Sequence, residues 1–242
     1  MIRYLLVLPY LALCLTAFGQ SKSSLDFTFG GWMTNHHYQA DHPIINKVYG
    51  DELSMPGWKI GLHFNQVLTS GFSTLIFRTG LDVFTMGYTT PQEAAIFYGD
   101  PLDPSFETGD VFWSLGVLDF RKITYRHMLV GVPLHLRLEF GRQALSPYIE
   151  FGLTPAYYLG STSRYVSEIG TSAHAYRINS SALNEFRFFA DAAIGLNYKV
   201  TNRWQLFAQP IFSWQLNSSL NSRIAEHLFG LGLDAGVRMV MQ

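Results

Sequence analysis

The sequence predicts an all-β protein, a closed antiparallel transmembrane β-barrel of about eight strands with short periplasmic turns and longer outer loops. Three observations predict it. Apolar and polar residues alternate with a period of two along most of the chain. The segments between the alternating runs are short and long by turns. The polar face carries charges of both signs interleaved with glycine, as a narrow lumen packed with side chains requires.

Ahead of the first strand lies an export signal. Arg3 supplies a positive start, Tyr4 to Thr16 an apolar run, and Ala17-Phe18-Gly19 the small residues of a cleavage site. Residues 1–19 are therefore expected to be a signal peptide removed before Gln20, and 20–242 one outer-membrane barrel domain. Cys14 is the only cysteine, and Leu13 before it is too bulky for lipoprotein processing. The mature chain would then hold no disulfide, thiol nucleophile or cysteine-based zinc site.

The strands follow in order. Leu25, Phe27 and Phe29 alternate with Asp26, Thr28 and Gly30; Trp58, Ile60, Leu62 and Phe64 alternate with Lys59, Gly61, His63 and Asn65. Leu75, Phe77, Leu81 and Val83 oppose Arg78, Gly80 and Asp82. The cleanest run sets Val130, Val132, Leu134, Leu136, Leu138 and Phe140 against Gly131, Pro133, His135, Arg137 and Glu139. A helix would mix these two sets around its circumference; a strand separates them.

Ile149, Phe151, Leu153, Tyr157 and Leu159 then alternate with Glu150, Gly152, Thr154 and Tyr158. Phe186, Phe188, Ala192, Ile194, Leu196 and Tyr198 oppose Glu185, Arg187, Asp191, Gly195, Asn197 and Lys199. Trp204, Leu206, Ala208, Phe212 and Trp214 oppose Gln205, Gln209, Ser213 and Gln215. The last run sets Phe229, Leu231, Leu233, Ala235, Val237 and Met239 against Gly230, Gly232, Asp234, Gly236 and Arg238. The count is even, as single-chain bacterial barrels require.

Alternation does not say which face points inward, and a soluble lipocalin-like barrel would bury the apolar one. Connection lengths decide for a membrane barrel: 37–57, 88–122 and 162–183 are long, while 68–71, 141–146 and 200–203 are short. Aromatics gather at strand ends, with Tyr198 and Trp204 at one rim and Trp58, Tyr157 and Trp214 at the other, where two interfacial girdles belong. The polar face is expected to form an ion-pair network in the lumen from Asp26, Lys59, Arg78, Asp82, Arg137, Glu139, Glu150, Glu185, Arg187, Asp191, Asp234 and Arg238.

The run Leu129-Val130-Gly131-Val132-Pro133-Leu134-His135-Leu136-Arg137, a short turn, then Pro147-Tyr148-Ile149-Glu150-Phe151-Gly152-Leu153 resembles the PorT-like outer-membrane β-barrel family of Bacteroidetes. The resemblance implies an eight-stranded outer-membrane barrel. It carries no catalytic residues, and it implies for some members a part in secretion or gliding machinery. The chain departs from the pattern in its long aromatic second outer loop and its Met-Val-Met-Gln ending.

Composition and motifs exclude several functions. A net charge of −1 argues against a nucleic-acid partner, and no nucleotide-binding loop or haem motif points to a cofactor. His36, His37, Asp41 and His42 could offer metal ligands but match no zinc spacing, so no metal site is expected. His127, Ser213 and Glu185 are the residue types of a hydrolase, yet no Gly-x-Ser-x-Gly elbow occurs and no catalytic residue is assigned. Eight strands leave almost no aqueous channel.

The second outer loop holds Phe97, Tyr98, Phe106, Phe112 and Trp113 among acids, a candidate contact surface. The expected partners are outer-membrane lipid and proteins of an envelope complex. The expected function is a structural or interaction role at the surface of a Gram-negative cell, accessory to a secretion or envelope complex; the alternative is a lipid-modifying hydrolase.

Overall fold

The computed structural model describes residues 23–39, 53–91, 94–96, 111–113, 120–141, 144–167, 176–177, 184–219 and 225–241. The expected signal peptide, Asp41, His42 and the loop aromatics Phe97, Tyr98 and Phe106 lie outside these residues. No helix among the described residues is long and apolar enough to cross a membrane. Strands do the crossing.

The main strands are β1 (Ser23–Gln39), β2 (Leu53–Ser70), β3 (Ser73–Pro91), β6 (Phe120–Gly131), β7 (Leu134–Phe140), β8 (Leu145–Ser167), β10 (Phe186–Lys199), β11 (Trp204–Gln215) and β12 (Ala225–Met241). Two short pieces, β4 (Ala94–Ile96) and β5 (Val111–Trp113), pair with each other, and β9 (Tyr176–Arg177) pairs with β8. β6 and β7 are two halves of one stave, both pairing with β3 and β8. Val132 and Pro133 divide them, because proline has no N–H for the ladder; the Val132 N–H still reaches the Pro155 carbonyl at 2.9 Å.

Every neighbouring pair of staves is antiparallel, and β12 closes the ring by pairing with β1 from Ser23↔Met241 to Gln39↔Ala225. The result is an eight-stave barrel. Closure leaves no open sheet edge in the ring, and a hydrocarbon environment demands that, having no water to satisfy edge N–H and C=O groups. β1, β2, β3, β8 and β12 run to between 17 and 23 residues, whereas about 9–11 suffice to span the core. The barrel therefore projects past the bilayer, and the predicted long connections 37–57, 88–122 and 162–183 are partly strand. The sequence hides these extensions because hydrophobic alternation fades above the lipid, while the backbone bonds continue.

The faces are inside-out relative to a soluble protein. Phe29 is 59% exposed, Leu231 63% and Ile194 67%, while Asp26, Arg137 and Arg187 are at 0%. Water would not tolerate that outer wall; lipid does. This rules out the soluble lipocalin-like reading. Short turns join the staves at one end: Gly71 and Phe72 link β2 to β3, and a tight turn at Val200–Arg203 places the Val200 and Thr201 N–H groups on the Trp204 carbonyl, each at 3.0 Å. That end is periplasmic and the other is the outer end, so the chain is an outer-membrane barrel. Tyr198 and Trp204 lie exposed at the periplasmic rim. Tyr157 packs on Phe186 at 5.3 Å and Trp214 stacks on Phe229 at 5.5 Å near the outer rim. Tyr198 and Trp204 at one end, and Tyr157 and Trp214 at the other, occupy the ends the pattern assigns them.

The β2–β3 seam is irregular near its outer end. The register of β2 on β3 jumps between Ser54↔Tyr88 and Lys59↔Phe84, with Pro56 in the gap. Side chains fill in for the missing ladder. The Trp32 indole donates to the Thr85 carbonyl at 3.0 Å, and the Gly87 N–H donates to the Thr34 hydroxyl at 2.9 Å, which donates back to the Gly87 carbonyl at 2.7 Å. The Trp58 N–H donates to the Thr85 hydroxyl at 3.1 Å.

Candidate functional site: the filled lumen

The inward set of each stave meets its counterparts across an eight-stranded lumen, which is narrow enough for side chains to touch across the axis. The periplasmic half is built on Glu150 from β8. Arg137 of β7 donates its Nε to Glu150 at 2.6 Å, Arg78 of β3 donates an Nη at 3.0 and 3.2 Å, and His135 approaches with Nδ1 at 2.9 Å. Glu150 is 3% exposed, so these donors stand in for its lost water.

A second carboxylate, Asp26, takes the fork of Arg238 at 2.8 and 3.1 Å. These two residues are direct register partners on β1 and β12, so the pair also fastens the seam where the chain ends meet. Arg137 lies 3.9 Å from Asp26 and over the Tyr148 ring, 4.0 Å from its centroid, linking the Glu150 and Asp26 groups. Tyr148 fits because Gly195 on β10 faces its ring; a Cβ there would enter the ring itself. The phenol donates to Gln209 at 2.8 Å.

Three further groups complete the plug. Lys59 reaches Asp234 at 2.5 Å. His63 places Nε2 2.7 Å from Asp82, while Arg78 donates to its Nδ1 at 2.6 Å. Asp191 accepts from the Ser213 and Thr154 hydroxyls at 2.6 and 2.5 Å and lies 3.1 Å from His135 Nε2. Lys59, Arg78, Arg137 and Arg238 thus face Asp26, Asp82, Glu150, Asp191 and Asp234, one carboxylate more than cations. His135 bridges two of those carboxylates and is placed to donate to both.

The outer half is chemically different. An apolar layer of Trp32, Phe84 and Phe189, edge to face at 5.6 Å between successive rings, roofs the plug. Beyond it His36 pairs with Glu226 at 3.0 Å and stacks on Tyr88 at 3.4 Å between ring centroids. His127 pairs with Ser161, whose oxygen also accepts from the Tyr158 hydroxyl at 2.5 Å. Arg187 lies over the Tyr158 ring at 5.1 Å.

Of the expected network residues, Asp26, Lys59, Arg78, Asp82, Arg137, Glu150, Asp191, Asp234 and Arg238 converge as one cluster, with Glu139 at its periplasmic edge, 3.4 Å from Arg238. Two depart. Glu185 is exposed, at the outer rim just before β10 begins, and its carbonyl accepts from the Tyr158 N–H at 2.8 Å. Arg187 is fully buried but sits in the outer cluster rather than the plug, because a stave this long carries one face through both halves.

The hydrolase types do not assemble either. His127 meets Ser161, Ser213 is bonded to Asp191, and Glu185 is exposed at the outer rim. His36 and His37 point to opposite sides of the wall, and no group of three metal-binding side chains occurs among the described residues. Phe112 and Trp113 fall in the β4–β5 ribbon. Sequence reading missed His63, His135 and Glu226 as network members, although all three share the phase of the luminal residues on their strands.

A cavity with room for about one water lies between the plug and the apolar layer, lined by Trp32, Lys59, Asp82, Phe84, His135 and Asp191 among others. Charges within the plug are spent on one another.

No protein-family model and no curated protein matches the sequence. Among solved structures, the outer membrane protease OmpT from Escherichia coli is 8% identical, with 91% of this chain and 97% of that chain covered at a TM-score of 0.47. The outer membrane enzyme PagL is 11% identical, covering 87% and 97% at 0.46. Neisserial surface protein A is 10% identical, covering 90% and 96% at 0.41.

Proposed function

We propose that this barrel is a structural or interaction protein of the outer membrane, accessory to a secretion or envelope complex, and that it acts through its outer surface rather than through its lumen. The observation that carries this reading is the closed Glu150–Arg137–Asp26–Arg238 chain across the axis, in which each charge is bonded to another luminal group. A lumen so occupied offers bulk solvent no path through the plug, and the work falls to the parts that project from the lipid. The PorT-like resemblance is consistent with an accessory role.

The test is crosslinking and pull-down from intact outer membranes, with an epitope tag placed between Asp100 and Asp103. A stoichiometric protein partner is the expected result; a surface-exposed barrel that captures none would overturn the accessory role. The second reading, a lipid-modifying hydrolase, draws on the buried His127–Ser161 pair. Deacylation of purified lipid A or phospholipid, abolished in His127→Ala, would favour it.

A further inference from the structure

Past the apolar belt the outer wall turns polar, and one patch on it is basic. β6 and β8 run side by side with Thr124 opposite Arg164 and Arg126 opposite Thr162. Their strand neighbours Tyr125, His127 and Ser161 are buried in the lumen, so alternation puts these four residues on the outer wall. Arg126, Thr162 and Arg164 are exposed and Thr124 is half-buried. The two arginines are diagonal neighbours on adjacent strands, a spacing that long side chains span.

Neither arginine has an ion-pair partner among the described residues, in contrast to the luminal arginines Arg78, Arg137 and Arg238. Two unneutralised cations so close repel one another, and a shared anion relieves that. Their height is set by what lies below. Toward the periplasm the same outer faces continue as Met128 on β6 and Leu159 and Tyr157 on β8, all exposed. Arg126 therefore stands one outward-facing step above Met128, and Arg164 two steps above the bulge that follows Leu159, both at the outer end, the side that borders the headgroups of the outer leaflet.

We propose that Arg126 and Arg164, flanked by the hydroxyls of Thr124 and Thr162, bind a phosphate carried by an anionic lipid of the outer leaflet. A guanidinium matches two phosphate oxygens at once, two guanidinia match a doubly charged group, the Thr162 hydroxyl adds a donor at the side, and Thr124 adds one while its oxygen accepts from Thr89 at 3.3 Å. The acyl chains of such a lipid would lie against Met128, Tyr157 and Leu159, so one molecule satisfies both halves of the surface. This holds whether or not the barrel serves a larger complex.

The test is native mass spectrometry of the full chain in detergent, titrated with bisphosphorylated lipid A. The double variant R126Q/R164Q is expected to bind about tenfold or more weakly. R203Q, at the exposed periplasmic turn, is expected to bind as the parent does. Lipid A stripped of phosphate should bind the parent as weakly as it binds the double variant. Undiminished binding by the double variant, or equal binding of the stripped lipid, overturns the proposal. Displacement of lipid A by an equal concentration of inorganic phosphate overturns the assignment to lipid and leaves a free-anion site. Should R126Q/R164Q not fold, by the heat-dependent shift of barrels in gels, R126K/R164K replaces it. Lysine keeps the charge and loses the fork, so intermediate affinity is expected and parent-like affinity counts against the guanidinium contacts.

Discussion

The two halves of the lumen solve the same problem differently. Near the periplasm, burial is met with full charges: Glu150 alone engages Arg78, Arg137 and His135, and Asp26 engages Arg238. Near the outer end, rings and hydroxyls dominate, with the Glu226–His36 pair and Arg187 among Tyr88, Tyr125, Tyr158 and Ser161. Trp32, Phe84 and Phe189 lie between. The difference shows where each half derives its tolerance. A neutral hydroxyl or amide is cheap to bury with one partner, whereas a charge is cheap only while its whole cluster stays intact. The periplasmic half should therefore be brittle toward single substitutions and the outer half forgiving.

Removing Arg137 is the most severe way to break the comparison. Arg137→Leu leaves Glu150 short of its closest donor and should cost about 3–5 kcal/mol, read from urea unfolding in detergent or lipid vesicles. An unchanged unfolding free energy would remove the plug argument. On the outside of the same wall, Leu233→Arg puts a charge into the middle of the apolar belt and should cost about 2–4 kcal/mol. The same change at Met239, nearer the periplasmic rim, should cost about 0–1 kcal/mol. Equal costs at the two depths would contradict the placement of the belt.

Thr34→Val tests the irregular β2–β3 seam. It strips the hydroxyl that bonds the Gly87 N–H and carbonyl, and about 1–3 kcal/mol is expected for leaving those groups unsatisfied. Faster hydrogen exchange confined to the Gly87 region would accompany it. In the outer half, Glu226→Gln keeps an oxygen for His36, and the loss should be about 1 kcal/mol. A loss matching that of Arg137→Leu would show that the two halves are not different in kind.

Much of this was readable in advance, for a definite reason. Between bulges a strand places alternate residues on opposite walls, so once Asp26, Arg78, Arg137, Glu150 and Asp234 are in phase on their strands they share the lumen. The same phase already contained His63, His135 and Glu226, which went unrecognised because histidine and a lone glutamate near a strand end are common on any surface. Glu185 failed differently. It keeps the phase of β10 but lies beyond its outer end, and periodicity carries no mark of where a stave stops. The extension of β1, β3 and β8 toward the outer end was invisible for the same reason: strict apolar alternation has faded there.

The sequence by itself determined which residues face lipid, which face inward, and that the walls must close, because a period of two and the absence of water in hydrocarbon leave no alternative. The tertiary structure alone decided the pairings. Whether Arg137 takes Glu150 or Asp26 as its main partner, and why Arg187 leaves the plug for Tyr158, depend on stave tilt and register across the ring. Those are properties of closure, set by residues far apart in the chain, such as Asp26 and Arg238 at its two ends. They also leave Arg126 and Arg164 as diagonal neighbours on the outer wall, with no carboxylate partner among the described residues.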